Sequence, residues 1–165
     1  NYTTLVYIAE LVNKLRDKEP CIHNIEMSVV TNGLLLDEKR ITKLKELGVS
    51  IAISIDGFTA EENAQRVDLK GDPVYSKILK ILDACKKLKT DVSLSVTLSE
   101  ETVKNKADIL KLVDEYGIKG FGFNILMSSD AFILPESYNA DAAQFIIDSF
   151  IELRKRGIYE DRMIR

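Results

Sequence analysis

Ile51-Ala-Ile-Ser-Ile-Asp-Gly57, with Arg66 shortly after it, is the stretch that decides the fold. Isoleucines alternate with Ala52, Ser54 and Asp56, the period of two that marks a strand with one apolar and one polar face. The run ends in a hydroxyl, a carboxylate and a glycine, and a helical segment follows. A strand that ends this way points polar groups at the carboxyl edge of a sheet, where open α/β sheets and barrels bind ligands. Val29-Val-Thr-Asn-Gly33 ends in the same manner.

Working outward from these strands, helix and strand alternate along the chain. Leu5, Ile8, Leu11, Val12 and Leu15 form one stripe of a helix over 3–17. A strand is predicted over 25–31, and Asp37 caps a helix through Leu47 that Gly48 terminates. The strand over 50–56 is followed by Thr59-x-x-Glu62, which matches a capping box. Asp72-Pro73 reads as an N-cap with proline at the first helical position, opening a helix to Leu88. A third strand spans 92–98. Ser99 caps a helix through Tyr116, closed by Gly117. A fourth strand spans 119–126, and the last helix runs over 140–156, stopped by Gly157. Strands separated by helices are βα units with a parallel sheet and right-handed crossovers.

The chain has 165 residues and 45% hydrophobic content, enough for one domain with one core. A net charge of −3 argues against a nucleic-acid partner, which selects for a basic face. No apolar run approaches the roughly 18 residues of a membrane span. Cys21 and Cys85 stand far apart and form no close metal-ligand cluster, so a reducing cytoplasm is the preferred compartment.

The strand faces narrow the fold class. The third strand sets Val92, Leu94, Val96 and Leu98 against Ser93, Ser95, Thr97 and Ser99, and the first sets Ile25, Met27 and Val29 against Glu26, Ser28 and Val30. A closed barrel fills its middle with branched apolar residues. A doubly wound sheet is apolar on both faces. One apolar and one polar face fit an incomplete, curved parallel (β/α) barrel whose concave side lines a ligand cavity. A sheet with one solvent-exposed face is the plainer alternative.

Val30-Thr-Asn-Gly33, Ile53-Ser-Ile-Asp-Gly57, Arg66-Val-Asp68 and Gly71, followed by a helix, together resemble the middle of a radical S-adenosylmethionine enzyme. The similarity is to the peptide- and protein-modifying branch, which includes the anaerobic sulfatase-maturating enzymes and thioether-forming maturases. Members of that branch often carry a C-terminal domain of the SPASM type for auxiliary clusters. The resemblance covers Glu26 to Met127, and Asn1–Leu15 resembles the helix after the family's second strand.

It implies an α/β fold, an incomplete (β/α) barrel of which four strands and about five helices are present. It implies a single domain over 1–165, with the N-terminal cluster-binding strands absent. It also implies two cofactors for the full-length enzyme. A [4Fe–4S] cluster on a C-x-x-x-C-x-x-C motif reduces S-adenosylmethionine, and the resulting 5′-deoxyadenosyl radical takes hydrogen from a peptide or protein. Here the Cys triplet is missing, so this chain alone is expected to hold no cluster and to be inert.

Roles carry over one residue at a time. Ser54 matches a serine whose hydroxyl contacts the cofactor, although a satisfied polar group on a strand would look the same. Arg66 matches the arginine that grips the methionyl carboxylate, a job suited to two parallel N–H donors. A solvated loop arginine is its plain alternative. Met127 matches a position where backbone groups meet the adenine, with a core methionine as the alternative. Asn32 and Gly33 shape the cavity wall or simply make a tight turn. Asp56 shares the inward face with Ser54 and bonds either to ligand or to its own turn. Asn124 is a further cavity-facing candidate. No catalytic residue or metal ligand is assigned.

The other polar residues carry less. His23 beside Cys21 lacks partners for a metal site. Cys85 falls in the apolar pattern Ile78, Ile81, Leu82, Leu88 and reads as a small buried hydrophobe. Lys86, Lys87 and Lys89 read as a solvated helix face. Two other classes stay open: an ordinary barrel enzyme of the aldolase or synthase type, and a flavodoxin-like interaction module. The first lacks a glycine-rich phosphate loop, and the serines of the third strand count against the second. An uncovered strand edge near 25–31 predicts self-association.

Overall fold

In a computed structural model, residues 2–19, 25–129 and 133–158 are described. Four strands form one wholly parallel sheet in the order β1 (Met27–Thr31), β2 (Val49–Ile55), β3 (Val92–Leu98), β4 (Gly120–Ile125). Around it lie α1 (Tyr2–Lys18), α2 (Glu38–Glu46), α3 (Tyr75–Lys87), α4 (Lys106–Tyr116) and α5 (Tyr138–Lys155). Spatial order follows chain order without reversal. Crossovers of one hand then place every connecting helix on the same face, as in a barrel wall and unlike a doubly wound sheet.

Burial follows the strand alternation. Val49, Ile51, Ile53 and Ile55, the third-strand quartet of Val92, Leu94, Val96 and Leu98, and Phe121 and Phe123 are all buried in the core. Ile41 and Leu44 of α2, Ile78 and Leu82 of α3, and Phe145 of α5 join the same core. Phe145 stacks on Phe58 at 6.3 Å and meets Phe123 edge-on at 5.7 Å. The opposite face carries Ser28, Ser50, Ser54, Ser93, Thr97 and Asn124, all partly or fully exposed. Its middle is drier than the sequence suggested. Ala52, Ser95, Gly120 and Gly122 are buried there, small residues in adjoining register.

Helix starts were legible where a side chain caps locally. Asp37 is the N-cap of α2, and its carboxylate accepts from the Arg40 N–H at 2.8 Å. Asp72-Pro73, by contrast, does not open α3. The helix begins at Tyr75 with Val74 as an N-cap that supplies no side-chain bond, while Pro73 bridges antiparallel to Val67. The cause is Asp68, which takes the Lys70 and Asp72 N–H groups and ties this segment into a small hairpin.

The helix expected from Ser99 is also split. Ser99 Oγ accepts from the Thr102 N–H at 3.1 Å, but it starts a separate short 3₁₀ turn, Thr102–Lys104, before α4. The Thr102 hydroxyl donates to the Asp56 carbonyl at 2.8 Å, which draws that turn onto the end of β2.

Candidate functional site at the carboxyl edge of the sheet

Ser54 sits on the polar face of β2, in register with Ser95. Asp56 follows on the same face, one residue past the strand end. Its main chain is held on both sides: the N–H donates to Asn63 Oδ1 at 2.9 Å, and the carbonyl accepts from Thr102 Oγ1. Its carboxylate accepts from Arg66 Nη2 at 2.7 Å. Both side chains are largely covered, Arg66 at 24% and Asp56 at 27% exposed. Arg66 Nε is buried and has no partner among the described residues. The guanidinium is therefore anchored at one nitrogen, with a second donor on the same edge unsatisfied. Such a group costs about 1–3 kcal/mol when left unpaired.

The turn between Asp56 and Arg66 is built tightly. A Cβ on Gly57 would lie 2.3 Å from Glu62 Oε2 and 2.4 Å from Glu62 Cβ, so only glycine fits. Glu62 Oε2 accepts from the Phe58 and Thr59 N–H groups, and Thr59 Oγ1 accepts from the Glu62 N–H at 3.3 Å. This is the capping box read from Thr59-x-x-Glu62. Beyond Arg66, its carbonyl accepts from the Val74 N–H at 3.2 Å. Asp68 anchors the hairpin and is held down to about 2 by the Lys77 ammonium and by the Lys70 and Asp72 N–H groups. Tyr75, at the start of α3, donates to the Phe58 carbonyl, and burial pushes its phenol up to about 12.

The remaining candidates stand around the same edge without touching this cluster. Asn32 Oδ1 accepts from the Leu34 N–H at 3.2 Å, and Gly33 follows at φ 75°, a left-handed conformation suited to glycine in this turn. Asn124 Nδ2 donates to Ser95 Oγ at 3.2 Å across β3 and β4. With strands roughly 4.8 Å apart, Asn124 lies about 10 Å from the β2 cluster. Met127 is 85% exposed past the end of β4, which removes the core-methionine reading. Its neighbour Leu126 is tied down: the Leu126 N–H donates to Tyr138 Oη, and Tyr138 Oη donates to the Leu98 carbonyl at 2.6 Å.

Cys85 lies in the core, and burial pushes its thiol up to about 11. Cys21 and His23 lie outside the described residues. Lys86 and Lys87 are exposed and bridge to the Glu115 carbonyl and to Glu38. No helix among the described residues is long and apolar enough to cross a membrane.

Asn63, Thr102 and Tyr138 went unrecognised in the sequence. Asn63 sits in the polar run Glu61-Glu62-Asn63-Ala64-Gln65, where nothing distinguishes a buried asparagine from a solvated one.

Comparison with known proteins agrees with this architecture. The chain is 28% identical over 135 residues to the serine-type anaerobic sulfatase-maturating enzyme of Klebsiella aerogenes, covering 80% of this chain and 33% of that protein. It is 27% identical over 135 residues to the Fe-coproporphyrin III synthase of Methanosarcina barkeri, with 80% and 33% covered. It thus spans about a third of the length of the curated relatives it matches. The solved structure of native anSMEcpe with bound AdoMet and Kp18Cys peptide superposes with a TM-score of 0.71 at 22% identity, over 96% of this chain and 45% of that one. The family model of the Radical SAM superfamily matches residues 2–113, and with that match over most of its length the chain belongs to the Radical SAM superfamily.

Proposed function

We propose that this chain is the carboxyl-side part of the barrel of a longer radical S-adenosylmethionine enzyme that acts on a peptide or protein, and that Arg66 and Ser54 hold the methionyl end of the cofactor. The observation that carries the reading is the Arg66 guanidinium. It is largely covered, fixed through Nη2 by Asp56, and has a buried Nε without a partner among the described residues. A carboxylate is the acceptor that such a donor edge fits. Ser54 adds a hydroxyl on the same face. Asn124, near the end of β4, and the backbone beside Met127, just past it, are the candidates for the nucleoside portion. Asn32 and Asp56 shape the same edge.

When bound, S-adenosylmethionine supplies radical hydrogen abstraction. The residues here bind and orient it. The [4Fe–4S] cluster does not fit this chain. The sequence has two cysteines, and Cys85 is sealed in the core, so thiolate ligands must come from elsewhere in the protein. Alone, this chain is inert. The sulfatase-maturating relatives and a structural neighbour solved with a peptide support a peptide or protein substrate. The reading places the enzyme in the cytoplasm, without a nucleic-acid or membrane partner. It also gives the separated chain a tendency to self-associate through β1, which among the described residues is paired on one side only, with Val30 50% exposed.

The test is anaerobic incubation of the reduced full-length protein with S-adenosylmethionine, following 5′-deoxyadenosine by chromatography. Formation stimulated by a peptide substrate is expected. Absence of 5′-deoxyadenosine would overturn the reaction class, and stimulation by a tetrapyrrole instead of a peptide would overturn the substrate class.

A further inference from the structure

We infer that Asn63 is the positioning residue that sets the Asp56–Arg66 pair for ligand binding, a role that rests on the assignment of Arg66 above. Asn63 is 1% exposed, the least solvated polar side chain of the turn between β2 and α3. Its Oδ1 accepts from the Asp56 N–H at 2.9 Å. Its Nδ2 donates to the Gly57 carbonyl at 3.0 Å and to the Thr59 carbonyl at 2.7 Å. Its own carbonyl accepts from the Arg66 N–H at 2.9 Å.

One residue thus joins the end of β2, the turn that follows and the start of the arginine segment. The carboxamide orientation is fixed chemically, because carbonyl oxygens only accept and the Asp56 N–H only donates. The task needs one acceptor and two donors on a short stem. Aspartate has no donor for it, leucine has neither, and glutamine is a methylene too long.

The consequence is geometric. Asp56 Oδ1 and Arg66 Nη2 meet at 2.7 Å with both main chains pinned to one residue, Asp56 through the Asn63 side chain and Arg66 through the Asn63 carbonyl, while Thr102 Oγ1 holds Asp56 from the other side. Displacing Asn63 moves the guanidinium relative to Ser54, and a bidentate contact tolerates little misplacement. Asn63 touches no ligand in this scheme. It acts through Arg66.

That last point gives the test. In the full-length protein, affinity for S-adenosylmethionine is measured calorimetrically for Asn63→Leu, Arg66→Ala and the double variant, with thermal midpoints alongside. Asn63→Leu is expected to weaken binding about tenfold in the wild-type background and to add nothing in Arg66→Ala, because the group it positions is gone. A merely structural role would weaken both backgrounds equally, and that result overturns the inference.

Should Asn63→Leu fail to fold, Asn63→Asp decides, because it keeps the acceptor for the Asp56 N–H and drops both donors to the Gly57 and Thr59 carbonyls: weaker binding in the wild-type background that vanishes in Arg66→Ala supports the positioning role, and equal weakening in both backgrounds, or none in either, refutes it. If Arg66→Ala weakens binding while Asn63→Leu does not, only the positioning role falls. If Arg66→Ala leaves affinity unchanged, the cofactor assignment falls and takes this inference with it.

Discussion

Replacing Arg66 by lysine is the sharpest test of the proposed site. The guanidinium is held by Asp56 at 2.7 Å with both side chains about three-quarters covered, and its buried Nε has no partner among the described residues. Lysine keeps the charge and can still reach Asp56, but it presents one compact ammonium in place of a planar fork. Of two parallel charge-assisted contacts to a carboxylate, one is lost, about 1–3 kcal/mol. That corresponds to roughly ten- to a hundredfold weaker binding of S-adenosylmethionine. Ser54→Ala removes one neutral hydrogen bond and should cost about 1 kcal/mol. Titration calorimetry on full-length, reconstituted protein measures both, and iron content should match wild type because neither substitution removes a cysteine. Unchanged affinity in both Arg66→Lys and Arg66→Ala would refute the argument and reduce Arg66 to a strut for Asp56.

Asp68 should titrate near 2 in a carboxyl-detected NMR titration, against its ordinary 3.8. Because the folded value is depressed, its contribution to the 66–74 hairpin is complete above about 3.8 and is lost as the pH falls through about 2; a midpoint near 3.8 would contradict the hairpin bonding. Tyr138→Phe strips a donor from the Leu98 carbonyl and an acceptor from the Leu126 N–H, and should lower stability by about 1–3 kcal/mol in denaturant unfolding; no change would mean that water replaces the hydroxyl. Light scattering over a concentration series should show self-association of the separated chain that Val30→Lys suppresses, since a charge on an exposed strand edge blocks pairing; a strictly monomeric wild-type chain would refute it.

Much of the fold was legible because the relevant signals are local or periodic. The alternation in Ile51–Ile55 and Val92–Leu98 reports which strand face is covered, and Asp37 caps α2 through a bond only three residues long. Misreadings arose where a distant group competed. Asp72-Pro73 looks like a helix start in isolation, but Asp68 claims the Asp72 N–H for a hairpin. Ser99 reads as the cap of one helix through Tyr116, but it starts only a short turn, because Thr102 leaves the helical path to meet Asp56, 46 residues away.

The sequence by itself determined the βα order, the parallel sheet, its polar face and the likeness that gives Ser54 and Arg66 their proposed roles. These follow from hydrophobic periodicity, turn chemistry and motif spacing, each a property of neighbouring residues. Only the tertiary structure decided that Arg66 is pinned by Asp56 with Nε unsatisfied, that Asn63 is buried and organises the pair, and that Tyr138 locks the ends of β3 and β4 together. Whether an asparagine is a solvated turn residue or a buried junction depends on what closes over it, and that is settled by the packing of elements far apart in the chain.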